Sequence, residues 1–101
     1  MTANIDNATR KAVYRRDHYR CVLCDSTDGL QIHHAIPRGK GGADVIQNLA
    51  AVCWRCHFLI HDCKRWHVGD EITSEEAAQL VVEYLADIYA PNWNPWKRGR
   101  P

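Results

Sequence analysis

Two Cys-x-x-Cys pairs, Cys21/Cys24 and Cys53/Cys56, constrain this chain more than any other feature. A tight turn presents both thiols of such a pair to one side, and two turns supply four soft ligands in a tetrahedron. Four cysteines so spaced point to a structural zinc ion rather than to disulfides. That ion would staple the base of everything between Cys24 and Cys53. A chain of 101 residues builds only a modest core, so a staple of this kind adds stability that packing alone supplies sparingly.

The competing use of the motif is a redox dithiol. It would need one pair at a helix start within alternating strands and helices, a pattern this sequence lacks. Cys63 is left over as a free thiol. No apolar run approaches a membrane span, and MTANIDNATRKAVYRRD lacks the apolar stretch of an export signal. The expected setting is therefore a reducing, cytoplasmic one, with no membrane partner.

Net charge is only +1, but it is unevenly placed. Residues 1–66 carry ten Lys/Arg against six Asp/Glu, whereas residues 67–96 carry six acids and no Lys or Arg. The half holding the cysteines is thus basic. A basic face suits phosphate, and ordinary surface charge is the plainer account of it.

Along the chain, residues 1–9 read as a flexible N-terminus, 10–66 as the functional core, and 67–101 as a helix and basic tail on the same domain. ATRKAVYRRD predicts a helix over 8–17 with Asn7 as its N-cap and Ala8, Ala12 and Val13 as its apolar stripe. LQIHHAI alternates as a short strand that Pro37 ends. PRGKGGAD is a glycine-rich loop, and VIQNLAAVC is the return segment of a hairpin-like unit. A helix follows from Trp54 through WRCHFLIHDCKRW, and HVGDEI is a turn or short strand. Thr73 and Glu76 form a capping box for a helix to about Tyr89, with Ala77, Leu80, Val81, Tyr84, Leu85 and Ile88 at helical spacing. NWNPWKRGRP reads as an extended arm, free to lie across the domain, touch nucleic acid or bind a partner. The sum is an α+β fold.

The histidines carry the chemistry. His57 and His61 are four apart on a predicted helix, so both rings share one face and can share one ion. The cysteine staple would bring His33 and His34 near them. Neighbours on a strand point to opposite faces, so one of these two can join the metal while the other stays outside it. Three imidazoles leave open metal positions, as a catalytic centre requires. The remaining histidine suits a general base, since imidazole titrates near neutral pH. Together they suit phosphodiester hydrolysis. Asn48 carries both donor and acceptor groups and can tie the loop down.

CVLC, HHAIPRGKGGAD, Asn48-Leu49 and CWRCH, in that order, resemble the HNH endonuclease family over about residues 10–62. The resemblance implies a small zinc-stapled ββα-metal core with flanking N- and C-terminal helices. It implies a metal-dependent DNA endonuclease in which His33 and His57 bind the catalytic ion, His34 is the base and Asn48 the structural asparagine. The His57-x-x-x-His61 spacing is similar to colicin-type nuclease domains and implies His61 as third ligand. Many members carry Asp where this chain has His33. Mg2+, Mn2+, Ni2+ and Zn2+ are all candidate ions, and three imidazoles favour the softer ones over Mg2+.

Arg15 and Arg16 on the first helix, Arg38 and Lys40 in the loop, and Arg55, Lys64 and Arg65 around the metal helix are the candidate DNA contacts. A bare core with small flanks is similar to phage-encoded members, some of which act with the packaging terminase; that analogy implies a host-cell cytoplasmic setting. A monomer would nick, and a homodimer could cut both strands. The rival reading is a non-catalytic zinc-stapled module that binds DNA or a terminase; it has no use for His34, Asn48 and His57 together.

Overall fold

The computed structural model describes residues 5–62 and 72–97. Helix α1 (Asn7–Arg16) is followed by strand β1 (Gln31–His34), a 3-10 turn at Arg38–Lys40 and another at Ile46–Asn48. Strand β2 (Leu49–Val52), helix α2 (Trp54–Asp62) and helix α3 (Ser74–Tyr89) complete the order. The two strands form an antiparallel sheet in which His33 faces Ala50 and His34 faces Leu49. This is the mixed, two-stranded ββα arrangement expected, with one helix before it and one after. Cys63, Lys64, Arg65 and most of the expected HVGDEI turn lie outside the described residues.

The cap of α1 corrects the sequence expectation. Asp6, not Asn7, is the N-cap; its carboxylate accepts from the Ala8 N–H at 3.0 Å. Both residue types cap well, and the one with extended backbone takes the role. The helix accordingly runs one residue earlier than predicted. Ala8 is exposed, and the expected stripe reduces to Val13, which is fully buried against Ile5 and Leu49.

The rest of the core belongs to β2, α2 and α3. Ala50 and Val52 meet Val81 and Leu85, with Cys21, Cys53 and Cys56 in the same cluster. Burying one such Val or Leu side chain contributes roughly 1.5–3 kcal/mol. Helix α3 starts at the Thr73/Glu76 capping box, with the two reciprocal bonds at 3.1 and 2.8 Å. Its inner stripe is Ala77, Val81 and Leu85, whereas Leu80 and Ile88, expected in it, are exposed.

A buried polar knot joins these layers. Asp17 accepts from both sides of the Arg16 guanidinium, from the Ala51 N–H at 2.8 Å, and from the Tyr84 hydroxyl. The same guanidinium reaches the Ile46 and Leu49 carbonyls and the Tyr89 hydroxyl. One Arg–Asp pair thereby ties α1 to β2 and to α3.

The C-terminal arm folds back over the glycine-rich loop. Ala43 N–H donates to the Pro95 carbonyl and Lys97 N–H to the Gly41 carbonyl, both at 2.8 Å, so residues 95–97 run beside 41–43 like a third strand. The Trp93 indole donates to the Gln47 carbonyl at 2.7 Å. The described part of this arm, through Lys97, thus lies across the domain.

Candidate functional site

The four cysteines converge as their spacing requires. The turn after α1 carries Cys21 and Cys24, and the start of α2 carries Cys53 and Cys56. Their sulfurs all lie within 4.8 Å of one another. Asp25, at φ 68°, closes the first turn by donating to the Cys21 carbonyl. Backbone N–H groups of Leu23 and Cys56 point at the Cys21 and Cys53 sulfurs. The hydrogen bond with Cys56 holds the Cys21 thiol down to about 5. Burial pushes Cys24 up to about 11, and the bond to Cys21 followed by burial pushes Cys56 up. The cluster favours one thiolate and resists more. A divalent cation would relieve that resistance, and the donor set fits a soft one.

A second set of donors lies between β1 and α2. His33, His57 and His61 place ring nitrogens within 4.8 Å of one another. His33 is 4% exposed, and neither of its ring nitrogens has a hydrogen-bond partner among the described residues. A buried polar atom without a partner costs about 1–3 kcal/mol. A metal ion between the rings would satisfy it. Burial, with the neighbouring histidines, holds His33 down to about 3 and His57 down to about 4. Both rings are therefore neutral at neutral pH, with lone pairs available for a cation.

His34 points to the other face of β1, as strand alternation dictates. Its Nε2 lies 2.8 Å from Oδ1 of Asp44. Asp44 also takes the Arg38 guanidinium in a two-pronged pair at 2.9 and 2.8 Å. The Arg38 hydrogen bond, with a smaller contribution from His34, lowers the Asp44 pKa. An ionised carboxylate can only accept, so Nε2 of His34 carries a proton, and in the neutral ring the lone pair sits on Nδ1. Because β1 is an edge strand, a cleft of about 800 Å³ reaches both faces. His33, His34, His57 and His61 all line it.

Asn48 sets the loop between these groups. It is fully buried; its amide donates to the Ile36 and Ala43 carbonyls at 3.0 and 2.9 Å and accepts from the Ile36 N–H at 2.7 Å. Gly42 passes so close that a Cβ there would lie 1.8 Å from the Ile36 carbonyl oxygen. Only glycine fits, and Asp44, two residues on, is delivered to His34.

The basic residues divide. Arg15, Lys40 and Arg55 are exposed, with Arg55 stacked over the Trp54 ring at 5.0 Å. Arg38 lines the cleft but is paired with Asp44. Arg16, expected among the DNA contacts, is instead occupied inside the fold, its side chain 16% exposed. Arg10, not singled out from the sequence, lines the cleft.

Sequence reasoning also missed Asp44 and Gln31. A loop aspartate after Gly-Gly looks like turn chemistry, and only the alternation of Gln31 with His33 hinted that the two share a face.

Residues 21–62 match the sequence model of the HNH endonuclease family. A stretch of 42 residues is 43% identical to the type IV methyl-directed restriction enzyme EcoKMcrA of Escherichia coli (strain K12), covering 42% of this chain and 15% of that enzyme. A stretch of 53 residues is 34% identical to anaredoxin of Nostoc sp., covering 52% of this chain and 70% of that protein. The chain thus spans only a small part of the restriction enzyme. No helix among the described residues is long and apolar enough to cross a membrane.

Proposed function

The chain belongs to the HNH endonuclease family, and on that premise we propose that it is a metal-dependent endonuclease that hydrolyses phosphodiester bonds of duplex DNA with His34 as general base. One observation carries the reading. Three imidazoles from β1 and α2 gather on one face of β1, an Asp-braced imidazole stands on the other, and both open into one cleft.

In this reading His33, His57 and His61 hold the catalytic ion, and Cys21, Cys24, Cys53 and Cys56 hold a structural zinc. When bound, the catalytic ion supplies positive charge for the phosphate oxygens and the leaving group. His34 accepts a proton from water at Nδ1, and the water oxygen attacks phosphorus from the side facing β1. The bond to the 3′-oxygen breaks, that oxygen takes a proton from solvent water to become a hydroxyl, and the proton held at Nδ1 returns to solvent once the products separate. Asp44 holds the imidazole and favours its charged state during the step. Asn48 acts at one remove, by fixing the loop that carries Asp44. Three imidazoles without a carboxylate favour Zn2+, Ni2+ or Mn2+ over Mg2+.

Exposed Arg15, Lys40 and Arg55 are the surface cations offered to DNA phosphates. One centre per chain cuts one strand, so a monomer nicks. Incubating supercoiled plasmid with the purified chain and each of Mg2+, Mn2+, Ni2+ and Zn2+ tests the reading. Open-circular product with at least one of the softer ions is expected; plasmid left intact by all four would remove it.

A further inference from the structure

Gln31 stands two residues before His33 and on the same face of β1. Its Oε1 contacts Nδ1 of His57 across the gap to α2. An amide oxygen accepts and never donates, so Nδ1 of His57 carries the hydrogen and Nε2 keeps the lone pair. Gln31 is exposed, and no buried packing depends on it. Of the three clustered histidines, His33 has no hydrogen-bond partner at either nitrogen. Among the described residues, no carboxylate bonds to any of the three.

A metal-bound imidazole is commonly oriented by an acceptor at its other nitrogen, often a carboxylate, which also makes the ring a stronger ligand. Here the acceptor is a neutral amide. It fixes the tautomer without adding negative charge to the centre. Three neutral imidazoles and one amide leave a divalent ion its full charge, directed at an anionic phosphate. A carboxylate at this position would hold the ion more firmly and cancel part of that charge.

We propose that Gln31 is a positioning residue that sets His57 to bind the catalytic ion through Nε2 while keeping that centre free of negative charge. The proposal deepens the nuclease reading and rests on it only for the consequence for phosphate. The chemistry it selects for is an anionic phosphodiester at a fully charged ion.

The test uses the full chain with its cysteine site loaded, titrated with Ni2+, for wild type, Gln31→Leu and Gln31→Glu. Gln31→Leu should weaken Ni2+ binding about 10- to 100-fold. Gln31→Glu should bind at least as tightly as wild type yet nick plasmid more slowly, so that affinity and turnover move in opposite directions. Nitrogen NMR of the His57 ring, with diamagnetic Zn2+ in the same site, should show hydrogen on Nδ1 in wild type and a mixture of tautomers in Gln31→Leu. Ni2+ affinity within twofold of wild type in Gln31→Leu, or hydrogen on Nε2 in wild type, would overturn the proposal. So would Gln31→Glu nicking as fast as wild type while binding more tightly. Circular dichroism and zinc content check that both variants fold; should Gln31→Leu not fold, the isosteric Gln31→Glu and the wild-type tautomer decide alone. If wild type binds Ni2+ in this Gln31-dependent way but never nicks DNA, the nuclease reading fails and the tautomer assignment stands.

Discussion

Asp44 lies between His34 and Arg38: one carboxylate oxygen is 2.8 Å from the imidazole Nε2, and the other is 2.8 Å from the guanidinium. The His34 imidazole is thus held by a loop residue that is itself held by a cation. Asp44→Asn keeps the shape but loses the charge that favours an imidazolium. Single-turnover nicking should fall about 10²-fold, a typical share for acid–base assistance, with DNA affinity and bound zinc unchanged. A loss below threefold would remove Asp44 from the account.

The arm that runs beside the loop should matter for the same reason. Ending the chain after Asn92 removes the bonds from Ala43 to Pro95, Lys97 to Gly41 and Trp93 to Gln47. Nicking should drop at least tenfold, and thermal unfolding should fall by roughly ten degrees or more, because the fully buried Pro95 and the core-packed Trp93 leave with the arm. Gel-shift affinity for DNA is the control. Full activity in the truncated chain would show that Asn48 alone fixes the loop.

Arg16 should behave as a structural residue. Removing one member of a buried ion pair leaves an uncompensated charge, and the cost is about 3–5 kcal/mol. Urea unfolding should show Arg16→Ala strongly destabilised. Arg15→Ala, on the same turn but exposed, should leave stability alone and reduce the salt dependence of DNA binding.

Stability of the metal-free chain should depend on acid in one direction. His33 and His57 are held at about 3 and 4 in the fold, below the ordinary histidine value near 6.5. As pH falls through 6.5 the unfolded chain takes up protons that the folded chain refuses. These groups therefore cost stability progressively from about 6.5 down to about 4 for His57 and about 3 for His33, and contribute no slope above 6.5. Unfolding by urea at pH 7.5 and 5.5 should show the loss, and His33→Leu should shrink it. An equal loss in His33→Leu would place the acid sensitivity elsewhere.

Much of the site is legible in the sequence because its chemistry fixes spacing. Cysteines two apart must share a turn, histidines four apart must share a helix face, and adjacent strand histidines must part. The hydrogen bonds that orient them are not legible that way. Asp44 reaches His34 only because the backbone at Gly42 passes against Ile36, a contact no local pattern announces. Arg16 looks like any basic residue on a weak amphipathic helix until β2 and α3 close over it. Leu80 and Ile88 follow the helical period of α3, yet the small domain has too little core to cover them. Period tells which residues share a face, and only the packing tells how wide a face is buried.

The account stands on His34, the histidine that no metal set includes. The most direct measurement compares plasmid nicking by wild type and His34→Ala, each with its zinc content determined. The account predicts at least a 10²-fold slower rate, with zinc and fold retained. Nicking by His34→Ala at the wild-type rate would contradict it.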